Sequence, residues 1–266
     1  MVIISAEQRI GPALSGLPFV YHIARAEAGV GRRVFLLIRN KEVADLIPPS
    51  ERARITFVDD VEDLWAIEPP LSEQRIAHLD ADLCLRRFGR RCHIMEAHFV
   101  NHGVYPDRWE PPRLEIPEPE TAQSFDIVVS PSSLPRDGDR WPLKRWQELV
   151  DRLRPRYSIG AFGPPVGGDG LDGVMHLDSL TLAQVCSVLT QAKVAVLSED
   201  NDVSHLAHAL RVPHFLLYSE AVPPRWGENT NENGYRVVAN LRDLSVEQAW
   251  RGLEPLLLLG DAAKAD

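Results

Sequence analysis

Residues 194–210, VAVLSEDNDVSHLAHAL, join an apolar run to a polar segment and then to a helical pattern. The run 194–197 has the length of a buried strand, and the helix predicted at 205–210 continues after His205 with small and apolar residues, as in a closely packed helix. In α/β proteins, ligands bind in loops that follow the carboxyl ends of parallel strands. The polar segment between strand and helix is therefore the first candidate for a ligand site, with candidate binding residues Asp200, Asn201, Ser204 and His205. Alternatively, Asp202 or Ser204 is a structural cap of the helix.

The second half of the chain continues this strand–helix alternation on both sides of that segment. We predict strands at residues 126–129, 157–162, 194–197 and 215–218, and helices at residues 144–153, 182–191, 205–210 and 246–258. Strands separated by helices of this length predict a parallel sheet with right-handed crossovers.

The first half repeats the alternation. Predicted strands at residues 2–4, 34–38 and 55–58 are separated by a helix at 13–28 and a second helical stretch, and residues 79–104 have a helical pattern. Residues 110–124 are rich in proline and glutamate without an apolar period, which is typical of a linker. We therefore predict an α/β protein with two Rossmann-like, doubly wound domains, residues 1–115 and 125–266, facing a cleft.

Composition narrows the class of protein. Apolar residues make up 44% of the 266 and charged residues 25%, which is ordinary for a globular protein. The formal charge of −9 argues against general binding of nucleic acid, and the apolar runs are far shorter than the roughly 20 residues of a membrane span. The first residues lack the basic region of a signal peptide, so we expect a cytoplasmic protein. The three cysteines include no C-x-x-C pair, so reduced thiols are expected.

Three further loops follow predicted strands or precede helices. The turn Ser130-Pro-Ser-Ser133 offers Ser130, Ser132 and Ser133 to a phosphate, although a plain turn is the simpler interpretation. Arg140 and Trp141 precede a predicted helix, where Arg140 could clamp a diphosphate; alternatively, Trp141 covers a core and Arg140 is solvated. Gly163 opens a glycine-rich loop that lacks P-loop spacing but permits close approach to a ligand, although a mobile surface loop is the simpler interpretation.

The second half resembles glycosyltransferase family nine, the heptosyltransferase-like enzymes of GT-B fold. The resemblance rests on the serine turn at 130–133, on Arg140-Trp141-Pro142, on residues 177–183, and on residues 200–213. This last stretch is similar to the family's Asp-Ser/Thr-Gly-x-x-His-x-Ala-x-Ala-Leu-x-x-Pro signature. Residues 9–18 resemble the family's first loop more weakly.

The resemblance implies transfer of a sugar from a nucleotide-diphosphate donor in the C-terminal domain to an acceptor hydroxyl in the N-terminal domain. A carboxylate would act as general base, and no metal or other cofactor is required. The chain departs from the family pattern at several positions. Pro12 replaces its aspartate, Asp139 replaces its lysine, and Asp202 and Ser219 each replace a glycine. Glu7 is the nearest substitute for the base, although a solvated surface glutamate is the simpler interpretation. The acceptor is not identified by the sequence.

Alternatives to an active glycosyltransferase remain open. Pro12 and Asp139 favour a non-catalytic nucleotide-sugar-binding or scaffolding protein, and an epimerase or hydrolase on the same fold is a third class. A metal site is a weaker hypothesis, based on His93, Glu96, His98 and His102 in one predicted helix.

Overall fold

The computed structural model describes residues 1–88, 94–107, 110, 112–116, 123–131, 140–163, 170–219 and 234–265. The chain divides into two compact units. Unit 1 comprises Met1–Pro117 with Pro224–Trp226, and unit 2 comprises Glu118–Pro223 with Gly227–Asp266.

Unit 1 is built on a four-stranded sheet in which every strand pair is parallel. Its strands are β1 (Val2–Ser5), β2 (Val34–Ile38), β3 (Ile55–Val58) and β4 (Ile76–Leu79). The spatial order is β3-β2-β1-β4, so the chain reverses its direction across the sheet between β1 and β4. The loops after these two strands therefore meet at a topological switch point, where ligands bind in open α/β sheets.

The two faces of this sheet are covered differently. One face carries the helices α1 (Ile10–Gly29), α2 (Lys41–Asp45), α3 (Pro49–Arg52), α4 (Ala81–Phe88) and α5 (Ile94–Asn101), with α1 packed against the others. On the other face Val2, Phe35 and Leu37 pack with Leu64, which lies in a 3₁₀ turn at Asp63–Ala66. In unit 1, the segment with this 3₁₀ turn covers the second face of the sheet, where doubly wound proteins usually have helices.

Unit 2 contains a six-stranded parallel sheet. Its strands are β5 (Ile127–Ser130), β6 (Ile159–Ala161), β7 (Met175–His176), β8 (Ala195–Glu199), β9 (His214–Ser219) and β10 (Gly234–Ala239). The order is β10-β9-β8-β5-β6-β7, which places the switch point between β5 and β8. Ser130 at the end of β5 is in register with Ser198 of β8.

Helices on both faces bury this second sheet. They are α6 (Leu143–Leu153), α7 (Leu182–Thr190), α8 (Asp202–Ala209) and α9 (Val246–Ala265). One core joins α6 and α9 to alternate strand residues such as Leu197 and Leu217, while α7 and α8 pack against each other. Successive side chains of a strand point to opposite faces, and the central strands β5, β8 and β9 are buried at every position, so both of their faces are covered.

The structure differs from the sequence prediction in several elements. Residues 76–79, 175–176 and 234–239 form strands that the pattern did not predict, because they are short or lie at sheet edges. The predicted helix 79–104 is two helices after β4, with residues 89–93 outside the described part. Helix α8 begins at Asp202, three residues earlier than predicted. No helix among the described residues is long and apolar enough to span a membrane.

Candidate functional site

Ser130 and Asn201 meet at the switch point of unit 2. The Nδ2 of Asn201 donates hydrogen bonds to the carbonyl oxygen of Ser130 at 3.0 Å and to its Oγ at 3.2 Å. This contact joins the ends of the adjacent strands β5 and β8. The sequence alone placed Ser130 and Asn201 in separate loops, with no indication that they meet. The candidate site is therefore built around the carboxyl edge of the sheet.

Asn201 is also the N-cap of α8. Its Oδ1 accepts hydrogen bonds from the backbone N–H of Val203 at 3.0 Å and of Ser204 at 3.2 Å, and the Oγ of Ser204 accepts from the N–H of Asn201. This reciprocal capping satisfies N–H groups that a helix start leaves without intrahelical partners. The side chains of Asn201 and Ser204 thus stabilise the conformation of the loop. Their contact with a ligand stays a prediction.

His205 and Asp200 form a pair beside this cap. The Nε2 of His205 lies 3.6 Å from the Oδ1 of Asp200, and the side chains are 10% and 12% exposed. His205 lies in the first turn of α8, because the cap at Asn201 starts the helix earlier than expected. A largely buried carboxylate and imidazole at a strand edge can hydrogen-bond to the hydroxyl groups of a sugar or ribose.

Trp141 belongs to the core of unit 2. It is 1% exposed, its indole Nε1 donates to the carbonyl oxygen of Leu244 at 2.8 Å, and its ring packs edge-on against Trp146. Trp141 therefore lies where the alternative interpretation, that it covers a core, places it. Direct contact between Trp141 and a donor stays a prediction. Arg140, the residue before it, is exposed.

Gly163 follows β6 and lies near the loop after β5. Its φ of +117° is one that residues with a side chain rarely adopt, and a Cβ built there would lie 3.7 Å from the carbonyl oxygen of Pro131. Glycine is therefore required by the backbone at this edge, whatever its role toward a ligand. Ser132 and Ser133, together with Asp139, lie outside the described residues.

Glu7, the candidate base, lies at the switch point of unit 1. Its Oε1 accepts a hydrogen bond of 2.9 Å from the backbone N–H of Ala81, the first residue of α4. Glu7 is partly buried, so the interpretation as a freely solvated surface residue does not fit this contact. Pro12, at the position of the family's aspartate, lies in the first turn of α1 and offers no side-chain group that can accept a proton.

The histidines proposed as a metal site have other partners. The Nε2 of His98 lies 3.0 Å from the Oγ of Ser15, and its Nδ1 lies 3.6 Å from the Sγ of Cys84. The Oγ of Ser15 donates to the carbonyl oxygen of Pro12, so it accepts from His98. Burial lowers the pKa of His98 to about 4 and raises that of Cys84 to about 11. His98 is thus a neutral core residue.

His102 is separate from His98 in its contacts, because its Nε2 bonds the carbonyl oxygen of His78 at 2.9 Å. Within the residues that the structure describes, no group of three or more His, Cys, Asp or Glu side chains could hold a metal ion. His93 and Cys92 lie outside those residues. Cys84 and Cys186 are both buried.

Comparison with solved structures identifies the fold. A family-nine glycosyltransferase from Veillonella parvula matches with a TM-score of 0.71 at 15% identity, over 97% of each chain. The chain shares the GT-B fold of these enzymes. The E. coli heptosyltransferase WaaC with ADP matches at 0.64 and 16% identity, over 96% of this chain and 99% of that one.

A third match is the iron-containing, dodecameric glycosyltransferase TibC from enterotoxigenic E. coli, with a TM-score of 0.67 and 17% identity, over 99% of this chain and 74% of that one. No protein-family profile and no curated protein matches the sequence. The resemblance to family nine predicted from the second half of the chain is thus confirmed, at the level of the fold, by structural similarity over 97% of the chain.

One residue at the switch point was missed from sequence. Glu199 was not singled out because β8 was expected to end at Leu197, whereas the strand runs to Glu199 and buries it to 3% exposure. A serine and a charged residue after an apolar run usually belong to an exposed loop. The sequence signal that could have identified Glu199 was its position next to Asp200 in the polar segment.

Proposed function

We propose that this protein is a glycosyltransferase that moves a sugar from a nucleotide-diphosphate donor to an acceptor hydroxyl. The donor binds at the carboxyl edge of the unit 2 sheet, and unit 1 binds the acceptor. The observation that carries the proposal is the largely buried pair of Asp200 and His205 beside the switch point between β5 and β8. Solved structures of this fold include one with ADP and one with ADP-2-deoxy-2-fluoro heptose, which supports a nucleotide-sugar donor.

The roles of the residues follow from their chemistry. Asp200 and His205 orient the donor through its hydroxyl groups, since a carboxylate accepts hydrogen bonds and an imidazole can donate or accept. Arg140 is exposed at the start of α6, where its guanidinium can pair with the diphosphate and stabilise the charge that develops as the sugar leaves. Glu7 is the candidate that removes the proton of the acceptor hydroxyl.

The reaction is proposed to need no metal. TibC is an iron-containing relative in fold, but the described residues of this chain do not form a cluster of ligands that would hold iron. The roles proposed for Asp200, His205, Arg140 and Glu7 do not involve a metal ion. Assays with and without EDTA, and with added iron or magnesium, test this part of the proposal separately.

Binding and turnover test the function. Titration calorimetry with ADP, UDP, GDP and CDP identifies the base, and a panel of the matching nucleotide sugars identifies donor hydrolysis or transfer. We expect His205→Ala and Asp200→Asn to weaken binding of the preferred nucleotide sugar at least tenfold, roughly the value of one hydrogen bond to a charged group. His176→Ala, an exposed histidine of the same unit, is the matched control. A wild-type protein that binds no nucleotide or nucleotide sugar contradicts the proposal.

The second candidate is a non-catalytic protein that binds nucleotide sugars. It is favoured by Pro12 in place of a base and by the hydrogen bond that engages Glu7 at the start of α4. Binding of a nucleotide sugar without hydrolysis or transfer, across a panel of acceptors, supports this candidate. Turnover that is lost in His205→Ala excludes it.

A further inference from the structure

Glu199 places a carboxyl group inside the core of unit 2. Its Oε1 accepts a hydrogen bond of 2.9 Å from the indole Nε1 of Trp146, and its Oε2 lies 3.4 Å from the backbone N–H of Trp141, which donates to it. Both contacts are buried, and the residue is 3% exposed. Burying a carboxylate is costly, so a strand residue of this kind is retained only where its contacts compensate.

The contacts of Glu199 fix the start of α6 to the end of β8. Trp141 precedes α6, so its N–H lies outside the helical hydrogen-bond pattern and needs a partner elsewhere. The indole of the same residue donates a second hydrogen bond, to the carbonyl oxygen of Leu244. Arg140 is the residue before Trp141, so its backbone position is set by where Trp141 is held.

We propose that Glu199 is a positioning residue of the donor site, which holds Arg140 at the carboxyl edge beside Asp200. The inference rests on the proposed function, because Arg140 is given its role there. The end of β8 then contributes to the site in two ways. Asp200 pairs with His205, and Glu199 fixes the segment that carries Arg140. Glu199 itself touches neither the donor nor the reacting atoms.

Hydrogen exchange tests the structural step without any ligand. In Glu199→Gln the single amide oxygen retains the bond to Trp146, and the N–H of Trp141 loses its acceptor, so its exchange should accelerate about tenfold. Glu199→Asp, which keeps the charge but is one methylene shorter, should act in the same direction. Glu148→Gln, an exposed position on α6, is the matched control and should leave the exchange unchanged. Unchanged exchange at Trp141 in both Glu199 variants overturns the proposal.

A double-mutant cycle with ADP tests the coupling to Arg140. We expect Glu199→Gln to weaken ADP binding about tenfold in the wild-type background and to have little further effect when Arg140 is already alanine. A purely structural role would reduce binding equally in both backgrounds, and that result, or unchanged ADP affinity, overturns the coupling. If the wild-type protein binds no nucleotide, the proposed function fails and the coupling with it, while exchange at Trp141 still decides whether Glu199 fixes this segment.

Discussion

Asn201 links the ends of β5 and β8 while capping α8, since its Nδ2 bonds Ser130 and its Oδ1 bonds the first N–H groups of the helix. One side chain therefore fixes both the separation of two strand ends and the start of the helix that carries His205. The shape of the candidate site depends on this residue even if it never touches a ligand.

The two functions of Asn201 can be separated by substitution. Asn201→Ala removes both the cap and the link to Ser130, and should lower the free energy of unfolding by about 1–2 kcal/mol. Asn201→Asp keeps an acceptor for the helix N–H groups but cannot donate to Ser130, so it should cost less stability and still weaken nucleotide binding. Urea unfolding and calorimetry measure the two effects. Equal losses of stability in both variants contradict the separation.

Glu7→Gln tests the candidate base without removing its structural contact. The amide oxygen of glutamine can still accept from the N–H of Ala81, so thermal stability should be unchanged. Because an amide cannot take the proton of an acceptor hydroxyl, kcat should fall about 100-fold with little change in KM for the donor. Glu42→Gln, exposed in the first turn of α2, is the control. An unchanged kcat removes Glu7 from the mechanism.

His98 should make the stability of unit 1 depend on pH. Burial holds its pKa at about 4 in the fold, below the ordinary 6.5, so the unfolded chain binds a proton first as the pH falls. Its contribution is complete above pH 6.5 and is lost between pH 6.5 and about 4, by up to about 3 kcal/mol.

His98→Gln provides the comparison for that measurement, since its side-chain amide can donate to Ser15 but does not titrate. Urea unfolding of both proteins at several pH values should show the smaller pH dependence in the variant. Because burial also lowers the pKa values of His102 and His214, some dependence should remain. Parallel stability curves for wild type and variant would show that His98 does not contribute.

Two helical glycines should respond in opposite ways to alanine. A Cβ at Gly260 in α9 would lie 2.6 Å from the Cγ1 of Val194 and 3.0 Å from its Cα, so Gly260→Ala should cost about 1–3 kcal/mol. A Cβ at Gly29, the exposed last residue of α1, meets no atom within 4 Å. Gly29→Ala should be neutral or stabilising by up to about 1 kcal/mol. Thermal unfolding distinguishes the two, and similar effects would contradict the packing at Gly260.

The strand–helix alternation was sufficient to predict the fold class and the central elements. The runs at residues 194–197 and 215–218 are apolar because both faces of a central parallel strand are buried, so they stand out in the sequence. The edge strands β7 and β10 were missed for the opposite reason: each lies at one end of the sheet, and their exposed positions break the apolar pattern.

The sequence by itself determined that a polar segment follows a buried strand and that Asp200 and His205 lie within it. Only the tertiary structure decided which of its neighbours are structural: Asn201 and Ser204 cap α8, and Glu199 is buried against Trp141 and Trp146. The physical reason is that local patterns record burial and helix propensity along the chain. A hydrogen bond between residues 71 positions apart, as from Asn201 to Ser130, depends on which strands the fold makes adjacent.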